Sequence, residues 1–170
     1  RAAAPDCVGS ACGQGGVPIV GGSGIVCDGV TDDTSALNRY LETFTKGGTI
    51  FVPEGRQCLI ASGNLNVPDN VTIVGIGSAL SPARAITLSG VTGFILGPSS
   101  TIVMQRGAQL RDLFIRSDGL TPNPTASQAI AAVSAWGKSS SVAVTIPANT
   151  GGVQLRNDLI VGFNTAIRSH

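Results

Sequence analysis

The stretch Cys27-Asp28-Gly29-Val30-Thr31-Asp32-Asp33-Thr34-Ser35-Ala36-Leu37 is a turn-rich acidic cluster that runs directly into an amphipathic segment. Asp28-Gly29 is a turn dipeptide, and Asp32 and Asp33 place carboxylates where the free N–H groups of a starting helix attract them. Apolar residues then recur at helical spacing and predict a helix near 32–45: Ala36, Leu37, Tyr40, Leu41 and Phe44. A double glycine at 47–48 ends this helix, and residues 49–55 predict a strand closed by a Pro/Gly turn.

This order of turn, short helix, double glycine, strand and Pro-x-Gly turn resembles the entry to the right-handed parallel β-helix of the pectate-lyase-like superfamily. That group includes secreted pectinases, alginate epimerases and phage tailspikes, in which a motif like Asp28 to Thr34 precedes a helix that caps the first coil. The resemblance covers residues 25–77 through this motif set, and the rest of the chain only through its pattern of short strands. It implies structural capping roles for Asp28, Asp32 and Asp33. A calcium or acid–base site is the alternative, but the spacing matches an EF-hand loop only in part.

The composition favours one β-rich domain and excludes several classes of protein. The chain has 170 residues, of which only 12% are charged and 23 are glycine, and its net charge is +1. The sequence has no basic stripe of the kind that binds nucleic acid, and no apolar run near the ~18 residues that a membrane span needs. We therefore expect neither a nucleic-acid nor a membrane partner. We divide the chain into an N-terminal arm, residues 1–24, and a β-helix domain, residues 25–170.

The four cysteines permit three disulfide pairings, and the sequence does not choose among them. Cys7 and Cys12 flank a short turn, and Cys27 and Cys58 flank the predicted helix and first strand, so each pair could meet. Four reduced thiols are an equally open alternative. No metal site is expected, because the cysteines lack paired Cys-x-x-Cys spacing and His170 is the only histidine.

From residue 49 onward the chain is a series of short runs rich in β-branched residues and bounded by turn residues. These runs predict strands at 49–52, 57–61, 70–74, 85–88, 93–96, 101–105, 109–116, 142–146, 152–155, 159–163 and 165–168. No second helical period of useful length is evident. The predicted fold class is therefore all-β, a right-handed parallel β-helix of four or five coils with an N-terminal capping helix. A β-sandwich is the alternative.

An internal repeat favours stacked coils over a sandwich. The triplet Gln-Leu-Arg occurs at 109–111 and again at 154–156, an offset of about 45 residues that we interpret as two coils. The excursion at 119–149 carries the only tryptophan, Trp136, and long excursions on one face of a solenoid commonly form its binding surface.

The candidate substrate-binding residues are Arg111, Asp112, Arg116, Asp118, Trp136, Arg156 and Asp158. Outward aspartates on neighbouring coils could supply the paired carboxylates of a glycosidase, which lie ~5 Å or ~6.5–9.5 Å apart. The repeat sets Asp112 against Asn157, however, so Asp112 and Asp158 fail this register test. Arg111 above Arg156 could bind an acidic sugar, and Trp136 could stack on a sugar ring. The alternative is a solvated outer face, and no catalytic residue is assigned.

The resemblance implies a polysaccharide-processing protein, a glycoside hydrolase or polysaccharide lyase of tailspike or pectinase type, with its catalytic set incomplete in this chain. The alternative is a non-catalytic structural or adhesive component that binds glycan on a phage tail or cell surface. We expect a polysaccharide partner, a secreted or virion-tail location, and no cofactor, with calcium left open. Because the repeat continues to the last residues, we expect either that this sequence is the N-terminal part of a longer chain or that another subunit, as in a homotrimer, caps the final coil.

Overall fold

A computed structural model describes residues 17–19, 24–77, 91–120, 124–138 and 140–170. These ranges contain two helices, α1 (Thr34–Leu41) and α2 (Ala126–Lys138). The strands are β1 (Val17–Pro18), β2 (Asp28–Asp32), β3 (Gly48–Val52), β4 (Gln57–Ile60), β5 (Leu65–Val67), β6 (Val71–Gly75), β7 (Gly93–Leu96), β8 (Ile102–Met104), β9 (Gln109–Arg111), β10 (Phe114–Ser117), β11 (Val142–Ile146), β12 (Gln154–Arg156), β13 (Leu159–Val161) and β14 (Thr165–Ser169).

The strands form three parallel sheets, and from β3 onward successive strands along the chain belong to sheets A, B and C in turn. Sheet A contains β1-β3-β6-β9-β12, sheet B contains β2-β4-β7-β10-β13, and sheet C contains β5-β8-β11-β14. Every pairing among the described strands is parallel, whereas a sandwich is built from antiparallel pairs. The chain is thus mostly β with parallel sheets, an architecture consistent with a parallel β-helix.

Inward-pointing apolar side chains stack in three columns, one on each sheet. The columns are Ile50, Ile73, Leu110 and Leu155 in sheet A; Cys58, Phe94, Ile115 and Ile160 in sheet B; and Leu65, Ile102, Val144 and Ile167 in sheet C. Most of these side chains are fully buried, while Ile167 on the last coil is 46% exposed. Burial of each large aliphatic side chain stabilises the stack by about 1.5–3 kcal/mol.

A two-residue corner joins sheet A to sheet B and fixes the register of the later coils. Asp112 and Asn157 begin successive corners with left-handed φ angles of 56° and 55°, and the Asn157 amide donates to Asp112 Oδ1 at 2.6 Å. Gly75 precedes them in this column, where a Cβ would lie 2.2 Å from the carbonyl oxygen of Asp112. Direct pairing of β9 with β12 means that the repeat of about 45 residues spans one coil. The interpretation of two coils was wrong, because α2 lies inside this repeat.

The differences from the predicted elements have local causes. The predicted strand 109–116 is divided in two by the corner, and α2 replaces part of the irregular excursion predicted at 119–149. The α2 sequence is mostly Ala and Ser, so its helical period is weak in the sequence. Strand β5 is only three residues long and lacked a signal. The prediction at 85–88 lies outside the described residues.

The structure describes part of the predicted arm and gives the bounds of the predicted helix. β1 pairs with β3 and Ile19 is fully buried, so residues 17–19 of the predicted arm at 1–24 belong to the folded domain beside sheet A. α1 begins at Thr34 and ends at Leu41, inside the predicted range of 32–45. Its Leu37 and Leu41 pack into the core cluster.

Candidate functional site

The aspartates of the acidic motif at 28–34 are held by hydrogen bonds to nearby backbone groups and to Thr34. Asp28 Oδ1 accepts hydrogen bonds from the N–H groups of Val30 at 2.9 Å and Thr31 at 2.7 Å. Asp32 Oδ1 accepts from the N–H and hydroxyl of Thr34, and from the Ala61 N–H at 3.1 Å. Burial opposes ionisation of Asp32, but the hydrogen bonds outweigh it and hold the pKa of this carboxyl well below its ordinary value. These contacts suit a structural role for both residues.

Asp33 lies at the N-cap of α1, but its carboxylate is not bonded to the helix. Its two oxygens accept from the N–H groups of Val26 at 2.8 Å and Cys27 at 3.0 Å, and the side chain is 1% exposed. Cys27 is in turn joined to Cys58 by a disulfide. The three side chains lie within metal-ligand distance of one another, but both sulfur atoms are committed to the disulfide. Cys7 and Cys12 lie outside the described residues.

The structure distributes the candidate substrate-binding residues over separate faces. Arg111 and Arg156 are stacked in register on sheet A. Arg116 lies on sheet B, half-buried, where its Nε donates to Gln57 Oε1 at 3.0 Å; desolvation lowers its pKa, and the charge of Asp118 offsets part of this.

Asp118 and Trp136 lie on the excursion side of the molecule. Asp118 is exposed in the turn after β10. Trp136 lies in α2, and its side chain is outside the described part of the structure. The seven candidates therefore do not form one site.

Asp158 occupies the place on the last coil that Leu113 fills on the coil before. This follows from the register of the flanking strands, in which Phe114 pairs with Leu159. Asp158 Oδ1 accepts from the Leu113 N–H at 3.0 Å, while Oδ2 is buried without a partner. Burial raises the pKa of Asp158 to about 6, opposed by the N–H groups of Leu113 and Arg156 and reinforced by the charge of Asp112. Asp112 itself faces Asn157, so the two aspartates are not a stacked pair.

Among the described residues, three cavities lie in or beside the turns that lead into sheet C. The first, which we call the hydroxyl cleft, has a volume of about 270 Å³ and is lined by Pro98, Ser99, Ser100, Thr101, Ser140, Ser141, Val142, Thr145 and Arg168. The second, the α2 cavity, has about 240 Å³ and is lined by Pro98, Ser117, Asp118, Gly119, Ala132, Ala135 and Ser141. The third, near α1, is lined by Thr34, Ser35, Asn38, Arg39, Glu42, Ser62, Gly63 and Asn64. The first two share Pro98 and Ser141 and so adjoin.

The hydroxyl cleft is built by the strand register of sheet C. Thr145 pairs with Val103 on one side and Arg168 on the other, so all three project from the outer face. Thr101 Oγ1 donates to the Ala143 carbonyl at 3.2 Å and lies 3.1 Å from Thr145 Oγ1. We did not predict these residues as a site. The available signal was a pair of Ser-rich runs, at 99–101 and 139–141, each directly before a strand.

Comparison with known proteins agrees with this architecture. The family model for rhamnogalacturonase A/epimerase, pectate lyase-like, matches residues 20–154. The chain belongs to this pectate lyase-like family. No curated protein and no solved structure matches it. Neither helix in the described ranges is long and apolar enough to cross a membrane.

Proposed function

We propose that the chain is part of a polysaccharide-processing protein and binds glycan along a groove that would join the three cavities beside sheet C. The observation that carries this proposal is the hydroxyl cleft, in which six of the nine described lining residues are Ser or Thr, in a member of a pectate lyase-like family. Hydroxyl groups both donate and accept hydrogen bonds, as a sugar requires. The reaction would be glycoside hydrolysis or polysaccharide elimination.

The proposal includes a right-handed β-helix whose first coil is capped by α1. Asn38 of α1 donates from Nδ2 to the Asn64 carbonyl at 2.8 Å, and its Oδ1 accepts from the Asn66 N–H at 2.8 Å. One side chain thus hydrogen-bonds both to β5, an edge strand of sheet C, and to the residue directly before it. This edge would then be closed, and the groove would begin at α1.

A non-catalytic glycan-binding or adhesive component is the second candidate. Among the described residues, the groove carries Glu42 near α1 and Asp118 in the α2 cavity, and these carboxylates line different cavities. Hydrolysis by the usual route needs two carboxyl groups across one glycosidic bond. The separation of these two acids favours binding over hydrolysis within this chain.

The Cys27–Cys58 disulfide supports a secreted or virion-tail location, since such bonds persist in oxidising compartments. A homotrimer stays a prediction, and light scattering of the purified chain tests it.

One experiment distinguishes the polysaccharide-processing enzyme from the non-catalytic glycan-binding component. The purified chain is incubated with a panel of plant, capsular and cell-wall polysaccharides, and binding is measured by affinity electrophoresis. New reducing ends report hydrolysis, and the ultraviolet absorbance of unsaturated uronates reports elimination. Product on any glycan supports the enzyme, and binding without product supports the adhesive component. No binding to any member of the panel would count against both.

A further inference from the structure

The sequence contains two Asp-Gly dipeptides, Asp28-Gly29 and Asp118-Gly119, and the two have different surroundings in the fold. In such a dipeptide the glycine nitrogen can attack the side-chain carbonyl carbon of the aspartate, because glycine has no Cβ to hinder the approach. The five-membered succinimide that results opens to aspartate or to isoaspartate. Both aspartates are exposed, so burial does not distinguish the two sites.

Hydrogen bonds occupy both carboxylate oxygens of Asp28. Oδ1 accepts from the N–H groups of Val30 at 2.9 Å and Thr31 at 2.7 Å, and Oδ2 accepts from the Thr31 hydroxyl at 2.9 Å. These bonds, above all the one from the Thr31 N–H, lower the pKa of Asp28 and keep the group ionised. A carboxylate is a poor electrophile, and attack by Gly29 would also break these hydrogen bonds. We therefore expect Asp28-Gly29 to be protected.

The carboxylate of Asp118 is not restrained in this way. Within the ranges that the structure describes it accepts no hydrogen bond, and the neighbouring Arg116 donates instead to the carbonyls of Ser117 and Leu120. The Gly119 N–H makes only a long contact with Ser117 Oγ, at 3.4 Å. A Cβ on Gly119 would lie 3.8 Å from that same oxygen, its nearest neighbour, so the turn is open around the reacting groups.

We propose that Asp118-Gly119 is a site of spontaneous isomerisation to isoaspartate, and that the fold protects Asp28-Gly29 from the same reaction. The bond from the Gly119 nitrogen to Cγ forms as the Cγ–OH bond of protonated Asp118 breaks, and the amide proton leaves with the hydroxyl as water. Water then adds to the α-carbonyl carbon of the succinimide and cleaves its bond to the Gly119 nitrogen. The water lost is regained, so the mass is unchanged and no oxidant or cofactor is needed.

The modification changes the surface beside α2. Isoaspartate carries the chain through its side-chain carbon, which lengthens the backbone of the turn by one atom and leaves the α-carboxylate as a branch. Asp118 and Gly119 line the α2 cavity together with Ala132 and Ala135, and Asp118 is the one charged residue among the described residues of that lining. Isomerisation therefore alters the shape of this cavity and moves its charge.

Incubation of the purified chain at mildly acidic pH and physiological temperature tests the proposal. Mild acid is chosen because only the protonated carboxyl group loses water. Peptide mapping with electron-based fragmentation locates isoaspartate, and methyl transfer by an isoaspartyl methyltransferase measures its total amount. We expect isoaspartate to accumulate at Asp118 at least about tenfold faster than at Asp28, because the hydrogen bonds of Asp28 must break before attack.

Two controls separate the effect of the fold from that of the dipeptide. In concentrated urea with reductant the hydrogen bonds of Asp28 are lost, so the two sites should isomerise at similar rates. Gly119→Ala should slow the reaction at Asp118 several-fold, because its Cβ hinders the nitrogen, and should leave the rate at Asp28 unchanged. The open space at Gly119 makes this variant compatible with folding, which circular dichroism checks.

The outcomes bear on this proposal and not on glycan binding. Faster isomerisation at Asp118 in the folded chain, with similar rates in urea, supports it. Absence of isoaspartate at Asp118, or equal rates at the two sites of the folded chain, overturns it. A difference in urea as large as in the folded chain also overturns it, since the neighbouring sequence would then be the cause.

Discussion

Replacement of Asp158 by asparagine should change how the stability of the protein depends on pH. The carboxyl group of Asp158 lies partly buried beside Leu113, and burial raises its pKa from 3.8 to about 6. The folded chain therefore binds this proton more tightly than the unfolded chain does. The resulting stabilisation is fully present below pH 3.8 and is lost as the pH rises through about 6. Asp32 has a lowered pKa and the opposite sign, since its stabilisation is lost as the pH falls below 3.8.

The size of the effect follows from the pKa. A rise from 3.8 to about 6 corresponds to about 3 kcal/mol at ~1.36 kcal/mol per pKa unit. Because the side chain is not fully buried, solvent screening reduces this to about 1–2 kcal/mol. Asp158→Asn cannot ionise, and its side-chain oxygen can still accept from the Leu113 N–H. Relative to the parent chain, the variant should gain about 1–2 kcal/mol between pH ~4 and pH ~7.

Urea denaturation followed by circular dichroism at a series of pH values measures this difference. Asp118→Asn is the control, because it removes one negative charge from an exposed turn of the same molecule. The control should follow the parent curve. If the curves of Asp158→Asn and the parent stay parallel from pH ~4 to pH ~7, the desolvation argument is refuted.

Three further changes test the framework of the fold. Cys58→Ser, or reduction, opens a disulfide that spans 31 residues and should lower the free energy of unfolding by about 3–4 kcal/mol, measured by denaturation with and without reductant. Asn38→Ala removes two hydrogen bonds to β5 and should cost about 1–2 kcal/mol by the same assay, with faster amide exchange in β5. Gly75→Ala places a Cβ 2.2 Å from a backbone carbonyl oxygen and should cost more than about 2 kcal/mol, whereas Gly151→Ala, with open space at its Cβ, should be nearly neutral. Equal stability of the two alanine variants would contradict the close packing of the corner.

Short sequence patterns predicted many of the strands and the first helix. Residues 93–96 and 142–146 are predicted and observed as strands with the same bounds, because β-branched runs between turn residues specify strands without help from the rest of the chain. The helix at α1 was likewise predicted from its apolar spacing. The family followed from the acidic motif before these elements, and the family model confirms it. α2 was not predicted, because its small residues give little difference in hydrophobicity between the faces of the helix.

The candidate site was predicted less well, since its residues become neighbours only through coil stacking. Most of the substrate-binding candidates were chosen for charge. Arg111 lies on sheet A, Arg116 on sheet B, and Asp158 at the corner between these two sheets. The cleft residues are uncharged apart from Arg168, and Thr101 and Thr145 meet across 44 positions of sequence.

The sequence by itself determined the first helix and most of the strands, because hydrogen-bonding turns and side-chain alternation act over a few residues. It also determined the opposition of Asp112 and Asn157, since identical triplets align in register. Only the tertiary structure decided that one coil separates those triplets, that a carboxyl group lies beside Leu113, and that two Ser-rich turns share a cleft with Arg168. The reason is physical. In stacked coils the pitch is set by hydrogen bonds between strands, while the length of chain in each turn is free to vary, so spacing in sequence does not measure distance in space.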